Sequence, residues 1–143
     1  MSAGSHKEYM RTFNKTVASA VPLNANYNSP YVQLKNIYTY TMSAIITGTP
    51  NGTIQIQASN DPETNDTQTN MPTVDGAQPL NPPSVAPVNW VTITNSPFVV
   101  SSSGEEMWNV NYAGYNYVRV QYIDASGGTS TATMKIIFNG KGV

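Results

Sequence analysis

Apolar and polar residues alternate along much of this chain. In NIYTYTMSAIITG (36–48) the even positions Tyr38, Tyr40, Met42, Ala44 and Ile46 are apolar, with Thr39, Thr41 and Ser43 between them. A period of two sends successive side chains to opposite faces of a strand, so this stretch predicts a half-buried strand with those five residues toward the core. TPNG (49–52) follows as a turn, in which Asn51-Gly52 supplies the positive φ of a tight hairpin. TIQIQAS then places Ile54, Ile56 and Ala58 on one face and Gln55 and Gln57 on the other. The two runs predict a hairpin. The same pattern returns in GYNYVRVQYID (114–124) and TATMKIIFN (131–139), which flank Gly127-Gly128. Val118, Val120 and Tyr122 form one expected core face, Ala132, Met134, Ile136 and Phe138 the other, and the pair reads as a second hairpin.

Shorter runs complete the set: TVASAVPL from Thr16, SPYVQL from Ser29, VNWVTI (88–93), SPFVV (96–100) and EMWNVNY (106–112), the last after a turn at SSSGEE. Pro22 and Pro30 confine the first two to edges or strand starts, because proline cannot donate to a ladder. No stretch carries a clean 3.6-residue apolar stripe. About eight strands without a strong helix predict an all-β fold, an antiparallel β-sandwich that is jelly-roll-like, with immunoglobulin-like strand order equally open.

Two segments depart from the alternation. Residues 60–87 hold six prolines and the acids Asp61, Glu63, Asp66 and Asp75, and read as a long Pro-rich loop of the kind that carries function. Residues 1–20 carry Lys7, Arg11 and Lys15 against Glu8 alone, and read as a basic, extended N-terminal arm. The expected organisation is an arm over 1–20 and one sandwich domain over 21–143.

Charge changes this picture in one respect. Only 10% of the 143 residues are charged, for a net charge of −1, against about 25% in ordinary globular chains. Thr, Asn, Ser and Tyr supply the polarity. Such a surface suits a subunit packed against neighbours and lacks the basic face of a general nucleic-acid binder. There is no cysteine, which excludes disulfides and thiolate metal sites. No apolar run reaches the roughly 20 residues of a membrane span, and the first residues lack the apolar core of a signal peptide, so no membrane association and a cytoplasmic origin are expected.

Candidate chemistry is sparse. His6 is the sole histidine, in the arm, a poor place to fix a general base. Glu105-Glu106 beside Trp108 form a turn rather than two carboxylates facing across a cleft. Asp61, Glu63 and Asp66 in NDPETND offer oxygens to a hard cation such as calcium, without EF-hand spacing. No cofactor is expected. The aromatics are richer. Tyr112, Tyr115 and Tyr117 cluster at one strand start, Trp90 and Trp108 lie on others, and exposed rings anchor protein interfaces or stack on sugars. Lys7, Arg11, Lys15, Tyr112, Tyr115 and Tyr117 are therefore subunit-interface candidates. Trp108 and Arg119, the latter on the outward face with Tyr117 and Gln121, are ligand candidates.

The order of motifs, Ser59-Asn60-Asp61-Pro62, then Asn89-Trp90, then Tyr115-x-Tyr117-Val118-Arg119-Val120, then Ser126-Gly127-Gly128-Thr129-Ser130 and a final Lys141-Gly142, resembles a recurring small all-β structural protein of bacteriophage virions, of the decoration or minor capsid type. The resemblance covers about Gly48 to Gly142. In that pattern the connection between SNDP and NW is short, whereas here it is lengthened between Glu63 and Pro87. The resemblance implies a non-enzymatic virion subunit assembled in the host cytoplasm, attached to capsid or other virion proteins through its arm and loop, as a homo-oligomer and without specific nucleic acid. The alternative is a spike, fibre or tail-associated module that binds a host glycan.

Overall fold

A computed structural model describes residues 11–62 and 86–142. These form ten strands: β1 (Arg11–Pro22), β2 (Tyr27–Asn28), β3 (Val32–Gln33), β4 (Ile37–Thr47), β5 (Gly52–Ser59), β6 (Val91–Thr92), β7 (Phe98–Val100), β8 (Gly104–Asn111), β9 (Tyr117–Asp124) and β10 (Thr133–Gly142). They lie in two antiparallel sheets. The first runs β1-β10-β4-β8; the second runs β2-β9-β5-β6, with β3 also on β9 and β7 also on β5. The all-β sandwich expected from the alternation is present. The strand count exceeds eight because the segment around Pro30 makes two short strands. Of the expected arm, residues 11–20 are part of β1, paired with β10 from Arg11↔Gly142 to Pro22↔Thr133. Residues 1–10 lie outside the described residues.

Neither predicted hairpin exists. β4 pairs with β10 and β8, whereas β5 pairs with β9, β6 and β7. β9 and β10 likewise lie in different sheets. Each apparent hairpin is an arch that carries the chain from one sheet to the other, so the two apolar faces meet across the core instead of sharing one sheet. Asn51-Gly52 is not a positive-φ turn. The left-handed bend is Gly48 (φ 104°), and Gly52 is needed for close approach, since a Cβ there would collide with the Ile123 carbonyl oxygen.

The core fills the space between the sheets. Met42, Ala44, Ile46, Met134, Ile136 and Phe138 face Ile54, Ile56, Val118, Val120 and Tyr122, all buried. The Phe138 and Tyr40 rings stack 5.5 Å apart. Tyr38 breaks the expected alternation: it is 49% exposed and Ile37 is buried in its place. The cause is a bulge in β4: the consecutive Lys141 and Gly142 of β10 lie opposite Thr39 and Ile37, which leaves Tyr38 as the extra residue. One extra residue turns a strand's faces over.

The Tyr122 hydroxyl ties the arches together, its single proton within reach of Asn51 O (3.1 Å), Asp124 Oδ1 (3.3 Å) and Leu23 O (3.4 Å). Burial pushes its pKa up. In the β9–β10 connection the Asp124 carboxylate accepts from Ser126 N, Ser126 Oγ and Gly128 N. These donors hold its pKa below the usual carboxylate value, the Ser126 hydroxyl contributing most.

Candidate interaction surfaces

The SNDP and NW motifs meet at the neck of the 60–87 loop. Asp61 Oδ2 accepts from Val88 N (2.7 Å) and Asn89 N (3.0 Å), and Oδ1 accepts from Asn89 Nδ2 (2.8 Å). Ser59 Oγ accepts from Asp61 N, and Asn116 Nδ2 donates to Asp61 O. The pKa of Asp61 is lowered, first by the Asn89 side chain and then by the two backbone donors. A carboxylate satisfied this way is a structural clip, not an open cation ligand. Glu63 and Asp66, its expected partners, lie outside the described residues, as does most of the loop. Among the described residues no three acidic, His or Cys side chains converge.

The outward face of the second sheet carries a polar ladder that the alternation only partly foretold. Gln55 and Gln57 point outward as expected, yet both are buried. Gln121 Nε2 donates to Asn28 Oδ1, Gln55 Nε2 to Gln121 Oε1 (2.7 Å) and to Thr92 Oγ1, and Gln57 Nε2 to Thr92 Oγ1. Arg119 ends the row, giving Nε and Nη2 to Gln57 Oε1 at 3.0 and 2.8 Å. Its guanidinium lies 4.3 Å from the Trp90 ring centroid. Partial burial lowers the Arg119 pKa, and the group remains charged. Trp90 neighbours Tyr31, which meets Tyr117 edge-on at 5.3 Å. Arg119 thus sits in a half-buried aromatic and amide platform. Sequence reasoning missed Tyr31, and the period-two pattern that placed Arg119 and Gln57 on one face was the available signal.

The tyrosine cluster is not a patch. Tyr117 is fully buried, so it offers no subunit contact. Tyr115 is half-buried and its hydroxyl meets that of Tyr40 at 2.7 Å; burial raises the pKa of both. Tyr112 alone projects, 88% exposed at a left-handed φ of 58°. Trp108 is also a core residue, with Nε1 donating to Ser96 O at 2.7 Å, so it is no ligand platform. A β-period places every second residue inside, and the three tyrosines straddle both the end of one strand and the start of another.

Among the described residues β1 and β8 are the two outer strands of the first sheet; Arg11 and Lys15 are exposed on β1, and Glu105 and Glu106 lie on β8. Lys7 lies outside the described residues.

No protein-family model and no curated protein matches this chain. Solved structures do. The SPBc2 prophage-derived protein YomS matches over 92% of this chain and 94% of its own, at 11% identity and a TM-score of 0.50. The coat protein of Tobacco streak virus matches over 94% of this chain and 85% of its own, at 8% identity and a TM-score of 0.41. A structure of the Bacillus endospore appendages, a novel family of disulfide-linked pili, matches over 94% of this chain and 88% of its own, at 7% identity and a TM-score of 0.42. At 11% identity the likeness to YomS is one of fold alone.

Proposed function

We propose that this chain is a non-enzymatic structural subunit of a bacteriophage virion, a capsid decoration, cement or minor capsid protein that contacts other virion proteins and copies of itself. The observation that carries the reading is the role of the motif residues behind the virion-protein resemblance. Asp61 and Asn89 close a loop neck, Arg119 braces Gln57, and Ser126 and Gly128 hold the Asp124 turn. They maintain a framework rather than perform chemistry. The shared fold with a prophage-derived protein supports the same reading. Residues 1–10, with Lys7, and the 60–87 loop are the segments proposed to reach neighbouring virion proteins.

The test is to purify particles from the virus encoding the chain and locate it by labelling and cryo-EM. Regular copies on the shell are expected, and absence from particles refutes the reading. Deletion of residues 1–10 is expected to reduce particle binding and leave the domain folded. A deletion through residue 20 is a poorer test, because Val17 is in the core.

The Trp90–Arg119 platform favours one second reading, host-glycan recognition by a tail or spike position, since a half-exposed indole and guanidinium suit sugar stacking and hydroxyl binding. It predicts glycan-array binding that Trp90→Ala removes; no binding by the folded protein across a broad array eliminates it.

A further inference from the structure

The first sheet ends in two long and oppositely charged strands, β8 regular throughout and β1 regular over its first half. β8 pairs with β4 in continuous register from Ile46↔Gly104 to Thr39↔Asn111. β1 pairs with β10 without a shift from Arg11↔Gly142 to Thr16↔Ile137. Neither stretch contains proline, the residue that would blunt an edge. Among the described residues no strand pairs with the far side of either. β1 carries Arg11 and Lys15, whereas β8 carries Glu105 and Glu106.

We propose that the β1 edge of one copy pairs with the β8 edge of the next, continuing this sheet from subunit to subunit. Strand direction permits it. Neighbours are antiparallel throughout β1-β10-β4-β8, so β1 and β8 run oppositely, and a copy set beside another with its sheet continued adds an antiparallel pair. The register rows agree. Phe13, Gly140, Tyr40 and Val110 form one row, and Lys15, Phe138, Met42 and Trp108 the next on the same face. With copies at equal height, Phe13 of one lies opposite Val110 of the other. Both are partly buried hydrophobics packed at the open sides of the core, and pairing covers them. Lys15 then stands diagonal to Glu106, a separation of about 7–8 Å that long side chains span. Arg11 comes beside the exposed Tyr112.

Charge also selects against the symmetric alternatives. Two β1 edges paired antiparallel about Phe13 would set Arg11 of each opposite Lys15 of the other, and like charges directly across a ladder are destabilising; two β8 edges would bring four carboxylates and no cation onto one seam. The favoured contact is therefore head-to-tail, which closes into a ring or runs on as a filament according to the rotation between copies. The proposal deepens the reading of the chain as an assembling subunit and rests on that reading.

Two charge-reversed proteins test it: Arg11→Glu with Lys15→Glu, and Glu105→Lys with Glu106→Lys. All four side chains are at the surface, and circular dichroism checks that both proteins fold. In sedimentation velocity the wild type is expected to associate with rising concentration, and each reversed protein to associate at least about tenfold more weakly. An equimolar mixture is expected to recover, because acidic β1 then meets basic β8 and basic β1 meets acidic β8. A wild type that stays monomeric, reversals without effect, or a mixture that fails to recover overturns the proposal.

A second measurement does not depend on charge. The chain has no cysteine, and Asn14 and Asn109 are exposed on the same row at opposite edges, about 14 Å apart within one copy at the usual strand spacing, too far for a disulfide. Asn14→Cys combined with Met107→Cys, Asn109→Cys or Asn111→Cys is expected to give an oxidative ladder of linked copies in at least one case. Monomers in all three overturn it. Chain located on virions without self-association would sink this inference and leave the virion reading standing; self-association without virion location would do the reverse.

Discussion

The two sheets of this sandwich treat their edges in opposite ways. The first ends in β8, paired without a shift along its whole length, and in β1, regular from Arg11 to Thr16 before its register shifts. The second ends in fragments: β2 and β3 on one side, β6 and β7 on the other, each only two or three residues long. At each break a buried serine stands in for the ladder. Ser29 gives its N–H to Val120 O and accepts from Val120 N through Oγ, both at 2.9 Å. Ser96 Oγ accepts from Ile56 N and donates to Ile56 O. The central strands of the second sheet are thereby satisfied from within the chain, and its edges present too little regular backbone to recruit another strand. Fragmented edges prevent pairing, and long charged ones restrict it to a complementary partner. The difference between the sheets leaves the first, and not the second, with edges along which the proposed assembly can run.

The largest expected effect comes from the layer the two sheets share. Phe138→Ala should cost about 3–5 kcal/mol in urea unfolding, since the side chain is buried against Tyr40; a loss under about 1 kcal/mol would mean the core is not packed as described. Next come the serine seals. Ser29→Ala and Ser96→Ala should each cost about 1–3 kcal/mol by leaving a buried N–H unpaired, whereas Thr12→Ala and Asn109→Ala on the open edges should stay within about 0.5 kcal/mol. Equal costs on both sheets would erase the contrast. Gln57→Leu, which removes the acceptor for Arg119, should cost about 1–2 kcal/mol, with Arg119 losing protection in hydrogen exchange of its side chain. The smallest effect is acid sensitivity. Asp61 and Asp124 have folded pKa values below the ordinary 3.8, so their contribution is complete above that value and is lost as pH falls through the lowered ones. Thermal midpoints should decline below about pH 4, and less steeply in Asp61→Asn.

The fold class and most core positions were legible because a period of two is written directly into residues such as Met42, Ala44, Val118 and Val120. Sheet membership was not. Alternation specifies which face of a strand is buried, but says nothing about whether its neighbour in sequence lies beside it or across the core from it. The β4–β5 and β9–β10 pairs both satisfy either geometry. What distinguishes them is the close approach of Gly52 to Ile123 and the hydrogen bond from Asp124 N to Asn26 Oδ1, contacts with residues far off in sequence. The same limit separated the candidate site from its place in the fold. Arg119 was legible as outward-facing, but its support by Gln57 and Trp90 depends on which strands are adjacent. Trp108 and Tyr117 were read as surface because aromatic clusters do not announce their side; tertiary register placed Trp108 in the core, and Tyr31 covers Tyr117 on the outward face.

The Asp61 clip carries a consequence for how this chain tolerates change. By holding Val88 and Asn89 to the end of β5, it fixes the entry and exit of everything between them, so the sandwich is insulated from what that passage contains. Lengthening it costs only the slow logarithm of loop closure, about 0.6 kcal/mol per doubling. The neck therefore works as a docking port for inserted sequence: a lineage, or an engineer displaying a foreign epitope, can rewrite the passage while the scaffold around it stays the same.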